Sequence, residues 1–185
     1  MLNPRTMSDE GVRLLTSLEG FMPRAYPDTA GALTIDVGHL LTPRERERGV
    51  LALDNPAAPS GFDVVPWQQG LTPTQVHRLL AQDLRPRIAT LHHLVTVALT
   101  QPQLDALLCF LFNIGEEAFR HSALLQLLNQ GIYDAVPGQM LRWNRVKGVV
   151  SAGLTARRHH EIARWNTPAP QETPAPQAQR PAAQA

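Results

Sequence analysis

The chain has one cysteine, almost no net charge and no apolar run of membrane-spanning length. A single cysteine excludes an intrachain disulfide, so the fold must hold without covalent staples. That residue, Cys109, lies inside the apolar run LDALLCFLFNIG, where a buried inert thiol is expected rather than a nucleophile. A formal charge of +1 gives no global case for nucleic acid. No window approaches the roughly 18 apolar residues of a membrane span, so no stable membrane insertion is expected. The opening segment MLNPRTMSDEG lacks the charged-then-apolar pattern of an export leader, and synthesis in the cytoplasm without a signal peptide is expected. Metal-ligand patterns are also missing. His39 has no second suitably spaced histidine or carboxylate triad, and the adjacent pairs His92-His93 and His159-His160 would point about 100° apart on a helix. No metal and no cofactor are expected, and His39 is expected to make a structural hydrogen bond or salt bridge.

What is present is enough for one core. A chain of 185 residues with 43% apolar content can hold two small lobes sharing a helix, but hardly two independent domains. In SDEGVRLLTSLEG, Ser8 is placed to cap a helix whose apolar residues Val12, Leu15 and Leu18 recur at helical spacing and which ends near Glu19 and Gly20. Tyr26 to Val37 reads as a hairpin with PDTAG as its turn. Its second strand puts Leu33, Ile35 and Val37 on one face and Thr34 and Asp36 on the other. Residues 43–70 read as mostly loop with a short helical piece. Thr72, Pro73 and Gln75 form a capping box opening a long helix, with Pro86 a potential kink. Thr100 and Gln103 repeat that device, and the segments that follow read as helices. The expected architecture is therefore α+β and mostly helical: a small lobe over about 8–70 with a β-hairpin, a connecting helix over about 72–90 and a helical lobe over about 91–166. Residues 167–185, almost wholly Pro, Ala, Gln and Thr, read as a disordered tail or linker. Between residues 140 and 165, Arg142, Arg145, Lys147, Arg157, Arg158 and Arg164 face Glu161 alone. That stretch suits an anionic partner, or forms a solvated basic helix face.

The segment LEGFMPRAYPDTAGALTIDVGHLLT concentrates the chemistry. Glu19 falls at a helix C-terminus beside Leu18 and Phe21, where the dipole and the apolar neighbours both disfavour an ionised carboxylate, as a general acid requires. Asp28 sits in a polar turn beside Thr29 and Gly31, where it is expected to stay ionised and act as a base or hold a water. Thr34, opposite that turn, can share the water through its hydroxyl. Two carboxylates in contrasting environments suit the cleavage of a glycosidic bond. The same spacing also occurs in purely structural roles.

The order of the motif is more specific than its spacing. Glu19-Gly20, then Tyr26-Pro27-Asp28, then Gly31, Thr34-Ile35 and Gly38-His39 resemble the active-site segment of the phage-type lysozymes of glycoside hydrolase family 24. The resemblance continues through GLTPTQVHRLLAQDL, QLDALLCFLFNIGEEAFRHSALLQLLNQG and LRWNRVKGVVSAGLTARRHHEIARW, covering roughly residues 8–165. It implies a muramidase that cleaves the β-1,4 bond between N-acetylmuramic acid and N-acetylglucosamine in bacterial peptidoglycan. Glu19 would be the acid, and Asp28 with Thr34 would handle the water, by inversion in one step. It also implies a substrate cleft between the lobes, lined at Leu40, Phe112 and Ser122. Phe112 reads equally well as plain core.

The chain departs from the family at Asp36, where the resembled pattern has glycine. A surface carboxylate paired with an arginine, a third carboxylate acting on Glu19, and a blocked cleft all remain open. A lytic transglycosylase, which needs Glu19 but not Asp28, and a non-catalytic peptidoglycan-binding protein are the alternatives to the hydrolase. A monomer acting on peptidoglycan in the periplasm is expected. It would get there by release through a holin-type membrane lesion, as part of a virion, or by delivery through a secretion system.

Overall fold

The computed structural model describes residues 5–20, 22–27, 31–35 and 38–168. Helix α1, Asp9–Glu19, begins at the Ser8 cap, whose hydroxyl accepts from the Gly11 N–H, and carries Asp9 and Glu10 in its first turn. A small antiparallel sheet follows: β1 (Tyr26–Pro27), β2 (Leu33–Ile35) and β3 (His39–Leu40) in the order β1-β2-β3. Thr34 of β2 sits across from Tyr26 on one side and Leu40 on the other. The hairpin expected from Tyr26 to Val37 thus gains a third strand. Asp28 and Asp36 lie outside the described residues.

Residues 43–70 hold the expected short helical piece, but the loop expected around it is largely a hairpin. Thr42 and Glu45 form a capping box that opens α2 (Pro43–Arg48), which closes on Gly49 in the left-handed conformation, φ 71°. Strands β4 (Val50–Asp54) and β5 (Phe62–Pro66) then pair in register, Ala52 against Val64. The proline, glycine and charge that suggested a loop sit in the cap and in the turn. VLALD and FDVVP themselves alternate, burying Leu51, Leu53 and Val65. These three pack with Ile35, Leu41, Leu71, Val76 and Leu79 as the core of the small lobe.

Helix α3, Pro73–Leu94, starts at the Thr72/Gln75 capping box and runs helically through Pro86. Its first turns face the small-lobe core through Val76 and Leu79. Its later turns face a larger helical core through Leu80, Leu84, Ile88 and Leu91, so one helix belongs to both lobes. The helical lobe is built around α4 (Gln101–Ile114), capped at Thr100 and apolar on nearly every side. Around it stand α5 (Glu116–Arg120), α6 (Ala123–Asn129), α7 (Val136–Leu141) and α8 (Ala152–Trp165), with a short hairpin of β6 (Arg145–Val146) and β7 (Val149–Val150) before α8. Cys109 is buried, and burial pushes its thiol well above the usual range. Among the described residues no helix is long and apolar enough to cross a membrane.

The start of α1 is bound to the lobe through Asp105, a wholly buried carboxylate on α4. It accepts from the Ser8 N–H (2.9 Å), the Ser8 hydroxyl (2.6 Å), Gln101 Nε2 (2.9 Å) and Arg164 through both Nη2 (2.5 Å) and Nε (3.2 Å). Several donors converge on one buried charge, which is how such a group is tolerated. Gly11 faces it, and a Cβ there would come within 2.7 Å of Asp105 Cγ.

Candidate active-site cleft

Glu19 is the last residue of α1 and its side chain is 23% exposed. Oε1 accepts a 2.6 Å hydrogen bond from Nη2 of Arg157, a residue 138 positions away on α8. Arg157 is 8% exposed and fixed from behind. Its Nε donates to Oε1 of Glu161 (3.1 Å) and its Nη2 reaches the Cys109 carbonyl on α4 (3.3 Å). Glu161, wholly buried, also accepts from Arg158 Nη2 (2.8 Å), while Arg158 Nε lies 2.8 Å from Oε2 without hydrogen-bonding alignment. Burial pushes the Glu161 carboxyl up and the Arg158 guanidinium down, and the opposite charges pull each back. Arg158 is further held by Asn113 Oδ1 (2.8 Å) and by stacking 4.8 Å from the centroid of Phe110.

Half of the basic stretch seen in the sequence is therefore internal. Arg157, Arg158 and Arg164 are consumed by Glu19, Glu161 and Asp105, and Arg142, Arg145 and Lys147 remain exposed. The dipole and the apolar neighbours of Glu19 are legible in the sequence, but its partner Arg157 is not. An i, i+4 pair of Arg157 with Glu161 was visible on the helix, but not which way its outer face points.

Thr34 is 5% exposed, and its hydroxyl donates a 3.3 Å hydrogen bond to the Ala32 carbonyl. Its cross-strand neighbour Leu40 is 56% exposed and lines a cavity of about 360 Å³ with Gly38, His39, Gln82, Asp83, Pro86, Arg87 and Phe112. Small lobe, connecting helix and helical lobe each supply a wall. Two of the expected cleft residues, Leu40 and Phe112, are thus brought together. Phe112 lines this cavity and also packs against the helical core, and the Arg87 guanidinium lies over its ring at 4.4 Å from the centroid. Ser122 lines a different cavity of about 320 Å³, with His121, Ala123, Gln139, Arg142 and Trp143. It is 4% exposed, and its hydroxyl caps α6, donating to the Phe119 carbonyl and accepting from the Leu125 N–H.

His39 makes the structural bond expected of it. Nδ1 is 2.9 Å from an Asp83 oxygen on α3 and Nε2 is 3.4 Å from Glu45 on α2, so the ring ties the small lobe to the connecting helix. Burial acts to lower the imidazole pKa, but the hydrogen bond and charge of Asp83, helped by Glu45, overcome it and raise the value above that of a free histidine.

The sequence matches the phage lysozyme family over residues 16–161. The chain belongs to that family. It is 36% identical to an SAR-endolysin of Escherichia phage Mu over 152 residues, 82% of this chain and 76% of that one. It is 32% identical to an endolysin of Bacillus phage PZA over 166 residues, 89% of this chain and 56% of that one. The chain spans about half the length of the Bacillus phage endolysins it matches. Its fold is similar to the muramidase domain of SpmX from Asticaccaulis excentricus, with TM-score 0.68, 31% identity, and 89% and 100% of the two chains covered. A P22 lysozyme variant gives TM-score 0.69 at 29% identity, with 88% and 99% covered. The α+β, mostly helical two-lobe architecture is the one the family resemblance implied.

Proposed function

We propose that the protein hydrolyses peptidoglycan at the β-1,4 bond between N-acetylmuramic acid and N-acetylglucosamine, and so lyses bacterial cell walls. The observation that carries the reading is the Glu19 carboxylate, half-covered at the end of α1 and aimed by an arginine that is itself locked in the core. Arg157 holds Oε1, which leaves Oε2 to carry a proton to the glycosidic oxygen as the bond to the anomeric carbon breaks. Asp28 takes a proton from a water attacking the opposite face of the sugar. Thr34, whose hydroxyl hydrogen points to Ala32, offers that water an acceptor lone pair. Leu40 and Phe112 supply apolar contact for the sugar rings. Ser122 lines a separate cavity and its hydroxyl is already spent, so no contact with the sugar rings is assigned to it. We assign residues 1–166 to the catalytic unit and 167–185 to a tail. The protein would act as a monomer in the periplasm after holin-dependent release or secretion.

The test is Glu19→Gln, which removes the proton donor at nearly constant shape. Clearing of permeabilised cells should slow by on the order of 100-fold to 10,000-fold with the melting temperature unchanged. Lysis near the wild-type rate by a folded variant would dismiss Glu19 from this role. Product analysis separates the remaining readings: reducing ends mark hydrolysis and anhydro sugars mark transglycosylation. Asp28→Asn is severe only in the first case. A wild-type chain that binds wall but releases nothing would be a binding protein.

A further inference from the structure

We propose that Arg87, stacked on Phe112, forms a carboxylate-binding subsite in the wall of the cleft. This rests on the wall-hydrolase reading for the identity of its ligand, and on geometry for the rest. The polar side chains lining the 360 Å³ cavity are His39, Gln82, Asp83 and Arg87. Three of them are spent. His39 is held between Asp83 and Glu45, and Asp83 holds His39 in return. Gln82 accepts from the Asp54 N–H (2.9 Å) and donates to the Ala52 carbonyl (3.1 Å), away from any ligand.

Arg87 is different. It donates through Nη1 to the Asp83 backbone carbonyl one turn back (3.0 Å), and among the described residues it has no carboxylate partner. The guanidinium carbon lies 4.4 Å from the centroid of the Phe112 ring, which anchors the group there, and among the described residues Nε and Nη2 make no hydrogen bond. Asp83, the nearest acid on the same helix, does not neutralise it, because its oxygens lie at 2.9 and 3.0 Å from His39 Nδ1. On the same helix Arg85 is already paired with Asp54 of the small lobe. Among the described residues the cleft therefore presents one cation without a carboxylate partner, beside the apolar surface of Leu40, Pro86 and Phe112. Its complement is a planar anion attached to a body with apolar faces.

The amino sugars of the wall polymer are uncharged at their ring atoms. Its negative charges are carboxylates, borne either by the peptides attached to muramic acid or by the lactyl group of muramic acid that has lost its peptide. Both present the same two-oxygen fork to Arg87.

Binding is measured by sedimentation of the full-length chain carrying Glu19→Gln, so that turnover does not enter. The polymers are intact peptidoglycan, peptidoglycan stripped of peptides by an amidase, and chitin, which has no carboxylate. Adding Arg87→Gln should weaken binding to intact wall about tenfold, the scale of one charge-assisted contact in an open cleft, and lower the wall-to-chitin selectivity by the same factor. Arg87→Lys should restore part of it, and Arg85→Gln, which removes an equal charge outside the cleft, should not reproduce the loss. High salt should shrink the wild-type advantage. Dependence on Arg87 that vanishes on stripped wall assigns the peptide carboxylate, because the lactyl carboxyl is amide-linked in intact wall; dependence that persists there shows that the freed lactyl carboxylate is taken as well. Equal losses on wall and chitin would make Arg87 a mere prop for Phe112, and no loss on wall would leave it without a ligand. Either result overturns the proposal. Failure of the hydrolase reading shows separately, as a wild-type chain that releases no sugar.

Discussion

Removing the carboxylate of Glu161 should cost more than removing any comparable charge on the surface. Glu161 and Arg158 are both wholly buried, and Arg157 is 8% exposed. In Glu161→Ala, Arg158 loses its counter-charge inside the protein, and Arg157 keeps Glu19 and the Cys109 carbonyl but loses its second carboxylate. Stranding a buried charge this way costs roughly 3–5 kcal/mol. For a domain of this size each kcal/mol moves the melting temperature by about 2–4 °C, so the drop should be roughly 6–20 °C. Calorimetry at neutral pH reads it directly, and urea midpoints check it. Two comparisons separate charge from packing. Glu161→Gln keeps the acceptor oxygen and the shape, and should fall between wild type and Glu161→Ala. Arg158→Met with Glu161→Met removes both members of the buried pair, and should be less destabilised than Glu161→Ala alone, because an apolar pair of similar volume strands no charge between them. Function carries an independent signal: Arg157 loses its rear anchor, so the folded fraction of Glu161→Ala should lyse cells more slowly than its population accounts for. A Glu161→Ala protein that melts within about 2 °C of wild type would refute the reasoning, because the arginines would then have found solvent or other partners at no cost.

Three other perturbations test the remaining struts. His39 has a folded pKa raised above its ordinary value. Its contribution to stability is therefore complete below the unfolded histidine value, about 6.5, and is lost as pH rises through the folded one. Asp83→Asn should flatten that fall in urea midpoints measured from pH 5 to pH 9, and an unaltered slope would count against the His39–Asp83 bond as its source. Gly11→Ala should destabilise even though helix propensity alone favours alanine by about 1 kcal/mol. The new methyl meets Asp105 Cγ at 2.7 Å, and that carboxylate is held by hydrogen bonds from Ser8, Gln101 and Arg164, so an overpacking cost of roughly 1–3 kcal/mol should win in thermal melts. Asp105→Ala strands Arg164, 15% exposed, and unties the start of α1. A loss of roughly 3 kcal/mol by urea unfolding is expected, with retention of wild-type stability as the contrary result.

The features legible in the sequence were those set by neighbours in the chain. Ser8, Thr72 and Thr100 cap helices because a hydroxyl and the N–H it accepts from lie three residues apart, and the same locality placed the long helix and the strand that carries Thr34. The β4–β5 hairpin was missed although its alternation is equally local, because the prolines and charges of its flanks outweighed two five-residue strands. The site divides in the same way. Leu40 and Phe112 were named from the family motif, and the fold does place them on one cavity. Arg157 and Arg87 were not found, since each acts on a residue that only the packed fold brings near, Glu19 from 138 positions away and Phe112 across the joint between α3 and α4.

The end of α1 presents the carboxylate, and among the described residues Arg157 is what holds its side chain by a polar contact. Its geometry depends on α8 through Arg157, and α8 is in turn seated against α4 by Arg157 on the Cys109 carbonyl and Arg158 on Asn113, with Glu161 bracing both arginines. The Ser8–Asp105–Arg164 contact joins the same three helices at the other end of α1. Helix α1 is therefore clamped at both termini to α8, and one clamp ends on the proposed acid. A loosening of α8 should reach Glu19 before it unfolds the small lobe, whose core of Ile35, Leu51, Leu53 and Leu79 contains no residue of α8. Loss of lysis on heating should accordingly precede the loss of small-lobe structure, and activity and global unfolding tracked on one temperature ramp would separate at the low end if the clamp is what positions the acid.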